Sequence, residues 1–371
     1  MRICFLLIGA CLMLGSSTKP GQTSSLPAAI VRKLDAELPQ IVARSNLPSV
    51  AVGIWIHGRK AYSFVRGYAD LPSRSPRNFE QPFRIASITK TFVATVVLAL
   101  IDRSRLSKSD RIAKWFPKLP NAKLITVDDL LRMRSGIPAP DDAKVLEEAY
   151  DDPLMAGPSL RAQLAPIAAK PQEFTAPNRK SVYSNLNYMM LTEIAERAAG
   201  QHFETLLERY VVGPLNLQAT SYPSSPALPG GLHGYGWNDK TRRFEDKTLF
   251  NPAIAGGAGA MISSMEDLQK YAKALCAGGL LNPQTQRVRL QGAPINGGPT
   301  QYGEGVAFGH GLCGHSGTIP GFNTDMYYLP KLDLALVVSV NRLDRDDKAQ
   351  TTPVTRLVET TLESQLGSFS R

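Results

Sequence analysis

Beyond its first seventeen residues the sequence has no apolar run approaching the roughly 20 residues that cross a bilayer, so no membrane span is expected. Histidine and cysteine are scarce, five and four residues, and nowhere stand at zinc-ligand spacing. Neither a metal site nor a cofactor is expected. The formal charge of +10 comes from scattered residues without a Lys/Arg block, which leaves nucleic acid an unexpected partner. A positive surface would suit a polyanionic envelope or wall. No G-x-S-x-G elbow occurs; Gly314-His315-Ser316-Gly317-Thr318 comes nearest and lacks the last glycine, which counts against an α/β-hydrolase. There is no internal repeat and no low-complexity stretch.

What is present begins with a leader-like segment. Met1-Arg2, an apolar run from Ile3 to Leu14 and the small residues Gly15-Ser16-Ser17 follow the order of a secretory signal peptide, residues 1–17. A buried first helix is the alternative. Ile8-Gly9-Ala10-Cys11 weakly resembles a lipoprotein cleavage box, but the apolar run continues past Cys11, so soluble export to the periplasm or medium is expected. Two cysteines, Cys276 and Cys313, then remain in the mature chain and could pair in an oxidising compartment. Their separation in space is not readable from the sequence.

Apolar content of 43% and charged content of 20% suit a folded protein with a proper core. Leu26 to Arg44 reads as an amphipathic helix. Val50–Ile56 and Ala61–Gly67 read as strands of a hairpin turning at 57–60. Phe83-Arg84-Ile85-Ala86 leads into a helix from Ser87 to about Ile101, apolar nearly all round and therefore a core helix. Helices are also expected at 127–133, 185–199 and 264–277, and the Pro/Gly-rich stretch 222–260 reads as mostly loop. Strands at 325–329 and 332–340 and a helix at 352–366 close the chain. Strands at both ends must meet in one sheet. The expected fold is an α/β sandwich, an antiparallel sheet flanked by N- and C-terminal helices. Residues 27–86 and 291–366 would form the α/β lobe and residues 87–290 a mainly helical lobe.

Three segments could carry chemistry. In Ser87-Ile88-Thr89-Lys90, positions i and i+3 share a helix face. A serine hydroxyl needs a base to become nucleophilic. Lys90 could serve if neutral, which from a reference pKa near 10.4 costs roughly 4–5 kcal/mol at pH 7 and is partly supplied by burial. At the head of the helix the Ser87 N–H would lie at the positive dipole end, where an oxyanion is stabilised. The spacing alone is weak, since Ser16 and Lys19 share it. Tyr183-Ser184-Asn185 offers a phenol to relay protons and an amide to hold a substrate carbonyl, though alone it also fits a loop and helix cap. Gly314-His315-Ser316-Gly317-Thr318 offers a strand edge narrow enough for a substrate backbone, though alone it also fits a surface turn.

In their order, Ser87-x-x-Lys90, Tyr183-x-Asn185 and His315-Ser316-Gly317 resemble the three signature boxes of the penicillin-recognising serine hydrolases. This group includes class C β-lactamases, D-alanyl-D-alanine carboxypeptidases and related esterases. The flanks agree: Phe83 to Ser87, Ile125 to Leu131, Ser135 to Pro138, and Gly314 to Phe322. The likeness covers roughly residues 27–366 and implies the β-lactamase/transpeptidase-like fold. It further implies that Ser87 is acylated while Lys90 and Tyr183 share proton transfers. Asn185 would position the substrate amide, the N–H groups of Ser87 and Thr318 would form the oxyanion hole, and His315, Ser316 and Gly317 would line the substrate, with Ser316 helping to hold a carboxylate.

The third box is nearest the His-Thr-Gly of the peptidases and departs from the Lys-Thr-Gly usual in class C β-lactamases. His315 brings no fixed charge near pH 7. The expected activity is a D-alanyl-D-alanine carboxypeptidase on peptidoglycan-like peptides. The alternatives are an esterase or weak β-lactamase of the same group, or a non-catalytic penicillin- or wall-binding protein. A monomer is expected.

Overall fold

The computed structural model describes residues 25–138, 148–152, 154, 156, 157, 159–344 and 350–367. The leader at 1–17, including Cys11, lies outside them.

A nine-stranded antiparallel sheet organises the chain. Its strand order is Ser75–Pro76, Arg59–Asp70, Ser49–Ile56, Leu334–Val340, Phe322–Leu329, Leu312–Ile319, Ala307–Gly309, Gln301–Tyr302 and Ala293–Pro294. The first long strand thus pairs with the last, Val50 opposite Val340 and Ile56 opposite Leu334. The two ends of the chain meet in one sheet, as their patterns required. The hairpin turn is tight: His57 and Gly58 both take positive φ, +52° and +73°, the combination that matches the twist of a two-residue hairpin.

Successive strand residues face opposite sides. Val50, Val52, Ile54, Leu336 and Val338 pack with Ile30, Leu34 and Leu38 of the Ala28–Arg44 helix and with Val354 and Val358 of the Thr352–Leu366 helix. Ala51, Trp55, Ala335 and Val337 turn to the other face, into the larger core with the Thr89–Asp102 helix. Both faces are covered, so these strands read as unbroken apolar runs. Every residue from Thr89 to Leu100 is buried, which is why this helix shows no polar side.

The expected helices appear at Val127–Leu131, Asn185–Ala199 and Met265–Ala277. Asn185–Ala199 stops at Gly200, whose φ of +65° is the left-handed cap a glycine supplies. Met265–Ala277 falls within the stretch expected to form the helical lobe, yet it lies on the sheet, and its Cys276 is disulfide-bonded to Cys313 on the Leu312–Ile319 strand. The Pro/Gly-rich stretch is mostly loop, as expected, with an addition. The stretch 222–260 contains a hairpin, Tyr235–Asn238 with Arg243–Asp246. Trp237 and Phe244 pair across it with ring centroids 5.0 Å apart, a cross-strand aromatic contact that outweighs the surrounding glycines and prolines.

Candidate active site

Ser87 lies in a single 3₁₀ turn, Ala86–Ile88, that feeds the Thr89–Asp102 helix. The turn begins at Ala86 with a φ of +46°, a left-handed conformation that costs energy in a residue with a Cβ. This kink presents Ser87 half-exposed while its neighbours Ala86 and Ile88 are buried. The helix begins two residues after Ser87, so the Ser87 N–H stands at its positive end.

Lys90 is fully buried, 0% exposed. Its Nζ stands 2.9 Å from Ser87 Oγ and donates to the Ala258 carbonyl at 2.8 Å. In a neutral amine one N–H would serve Ala258 and leave the lone pair for the serine proton. Nζ also lies 4.8 Å from the ring centroid of Tyr183. Ala258 belongs to the Gly256–Ala258 turn, which the sequence marked only as loop. The run of small residues there was the available signal. A Cβ on Gly257 would come 1.9 Å from Thr192 Oγ1, so the turn presses directly on the Asn185–Ala199 helix.

Tyr183 sits two residues ahead of that helix, and Asn185 is its first residue, half-buried. The segment is tied down by neighbours that sequence reasoning missed. Tyr183 N–H donates to Asn296 Oδ1 at 2.9 Å, Asn296 N–H donates to the Ser181 carbonyl at 2.9 Å, and Val182 N–H donates to the Met133 carbonyl at 2.8 Å. Nothing in the sequence around Asn296 pointed to this role beyond a loop composition.

The third segment is the Leu312–Ile319 strand. Ala307–Gly309 pairs with it only as far as Gly314, and among the described residues no strand covers that edge from His315 to Ile319. Gly317 closes the approach to the nucleophile: a Cβ there would fall 2.2 Å from the Ile85 carbonyl oxygen and 3.1 Å from Ala86 Cβ. Thr318, half-exposed, is the next residue along. The His315 ring is 5% exposed and lies 6.1 Å from the Tyr183 ring and 5.9 Å from Tyr302, centroid to centroid. Its Nδ1 is 2.5 Å from the Ser316 carbonyl, which accepts the Nδ1 proton of a neutral ring. Burial, and after it the Lys90 amine, push the imidazole down from 6.5 to about 4.

Ser316 leaves the strand on the face opposite His315. It stands across from buried Asp325, whose carboxyl burial pushes up and which accepts from Thr355 at 2.6 Å. Ser316 is exposed and hydrogen-bonds Tyr327 of the neighbouring strand. Away from the site, Glu196, His202 and Glu204 bring ligand atoms within 4.8 Å of one another, with His202 and Glu204 exposed.

A hydroxyl, a buried amine within hydrogen-bond reach, a phenol and an open strand edge together define a serine hydrolase built for acyl transfer. A family model described as Beta-lactamase matches residues 33–359, and the chain belongs to this family. Esterase EstB of Burkholderia gladioli is 27% identical over 336 residues, 80% of this chain and 83% of that one. D-aminopeptidase of Cereibacter sphaeroides is 26% identical across 84% of this chain and 60% of its own length. Among solved structures, the D-amino acid amidase of Ochrobactrum anthropi SV3 superposes with a TM-score of 0.78 at 25% identity, covering 91% of this chain and all of that one. The chain spans less than two thirds of several curated relatives, 66% of the unguisins hydrolase of Aspergillus campestris and 61% of the penicillin-binding protein PbpX of Bacillus subtilis. Among the described residues no helix is long and apolar enough to cross a membrane.

Proposed function

We propose that the chain cleaves D-alanyl peptide amide bonds through an acyl-enzyme on Ser87, as a D-alanyl-D-alanine carboxypeptidase. The observation that carries this reading is the 2.9 Å approach of buried Lys90 Nζ to Ser87 Oγ. Ser87 Oγ attacks the carbonyl and its proton passes to the Lys90–Tyr183 pair. The oxyanion is held by the N–H groups of Ser87 and Thr318, and Asn185 positions the substrate amide. The proton then returns to the departing amine, and water deacylates the serine by the same route. Release of D-alanine from a D-alanyl-D-alanine peptide, beside a short-chain nitrophenyl ester, tests it. Ester cleavage with no D-alanine release sinks the peptidase reading. A labelled penicillin followed by intact mass, read beside those assays, separates an enzyme from a binder: a stable adduct on Ser87 with no turnover of peptide or ester favours the binder.

A second reading has its own support. His315 carries no charge at neutral pH, so the third box offers no fixed cation to a carboxylate. That favours neutral acyl substrates, amides or esters, and the amidase and esterase relatives agree with it. Turnover of D-amino acid amides above that of D-alanyl peptides would select it. Export remains a proposal supported by the Cys276–Cys313 disulfide and the leader-like residues 1–17, tested by cell fractionation and the N-terminus of the mature chain. The monomeric state is likewise proposed, for light scattering to test.

A further inference from the structure

Beside the Tyr183 segment lies a cleft of about 640 Å³ that none of the three boxes uses. Arg134, Arg179 and Lys180 line it, and no carboxylate does. Arg179 and Lys180 are exposed and make no ion pair with any described residue. Asp128 lines a smaller adjoining cleft, where it accepts from Arg132 at 3.0 Å and from Arg134 Nη2 at 3.5 Å. Arg134 Nε is buried and has no partner among the described residues, a donor whose satisfaction is outstanding.

The cleft is fastened to the site. Its wall includes Ser181 and Asn296, and Asn296 binds both the Ser181 carbonyl and the Tyr183 N–H. Val182, also in the wall, precedes Tyr183, whose ring flanks Lys90 Nζ, so a ligand held there lies one residue from the site. Three cations on a concave wall focus a positive potential. The volume falls in the range of small-molecule sites. His315, by contrast, has no charge to offer at neutral pH.

We propose that this cleft is an anion subsite that reads a carboxylate on the peptide substrate, through Arg179 and Lys180 with Arg134 behind them. This rests on the reading of Ser87 as the acylated residue, but its test does not need turnover. Dansyl D-alanyl-D-alanine peptides carrying Glu or Gln, placed before the D-alanyl pair in one set and after it in another, are titrated against the Ser87→Ala protein. In one set the Glu peptide binds roughly fivefold more tightly than its Gln twin, as two exposed ion pairs allow, and the preference shrinks as salt rises. Arg179→Ala/Lys180→Ala abolishes the ratio, and Arg179→Glu/Lys180→Glu inverts it. Lys240→Ala/Arg243→Ala, on the distant hairpin, retains it. A ratio of one in both sets, or a ratio that survives Arg179→Ala/Lys180→Ala, overturns the subsite. Failed turnover in the wild-type protein with the ratio intact would instead count against the acyl-enzyme reading alone.

Discussion

His315 is uncharged in the native protein because its ring is buried first and faces the Lys90 amine second. An unfolded histidine titrates near 6.5. As pH falls from 6.5 towards 4 the unfolded chain takes up a proton that the folded chain refuses, so folding loses free energy across that window and nothing above it. At pH 4.5 the loss from this residue is about 2–3 kcal/mol. Urea denaturation at pH 7.5 and 4.5 should show that excess loss in the wild type and not in His315→Gln; equal losses in both would remove the argument. The nucleophile makes a separate prediction. Ser87→Ala, and Lys90→Met with its stem volume kept, should each lower kcat/KM on a nitrophenyl ester roughly a thousandfold or more, because the pair acts as one unit. The Ser87→Ala protein should keep its thermal midpoint. At this scale much was readable. Ser87, Lys90, Tyr183 and His315 stand out as candidates by their side chains, each segment weak alone and joined by the resemblance of the three boxes, and the fold places them side by side. Ala258 and Asn296 do not stand out, because a carbonyl or a loop amide acquires its role only from what folding places beside it.

Where one element meets another, a single hydrogen atom decides the distance. Gly317 lets the Leu312–Ile319 strand approach the Ala86–Ile88 turn, and a methyl group there would sit 2.2 Å from the Ile85 carbonyl oxygen. Gly317→Ala must therefore push the strand and the Thr318 N–H away from Ser87. A misplacement of that order costs roughly a hundredfold in rate. Gly309→Ala is the control, since a Cβ at that glycine meets nothing within 4 Å and its kcat/KM should stay within about twofold. Comparable losses in the two variants would show that the strand edge is not positioned by this contact. Elements bounded by strong local signals were read well, as with the Asn185–Ala199 helix and its glycine stop. The hairpin at Tyr235–Asp246 was lost because its pairing signal is carried by two aromatics across a turn, amid residues that signal loop.

On the scale of the whole molecule, the sheet draws together segments almost three hundred residues apart, and the apolar, strand-like runs at both ends of the chain made that meeting legible. The placing of the Met265–Ala277 helix on the sheet was not, since an amphipathic pattern shows that a helix is covered but not by what. The same gap left the cysteine pairing open until Cys276 on that helix met Cys313 on the strand. The bond joins residues 37 apart in sequence, across the helix and the sheet that frames the third box. Closing a loop of that size removes about 4 kcal/mol of unfolded-chain entropy. Reduction, or Cys276→Ala/Cys313→Ala, should therefore lower the thermal midpoint by several degrees. Ester turnover at 25 °C should change less, because the contact at Gly317 and the paired Phe322–Leu329 strand still hold the His315 segment in place. Calorimetry with and without reductant reads the first effect and initial rates read the second. A midpoint indifferent to reductant would mean that the reduced unfolded chain keeps enough residual structure to match the restraint of the crosslink.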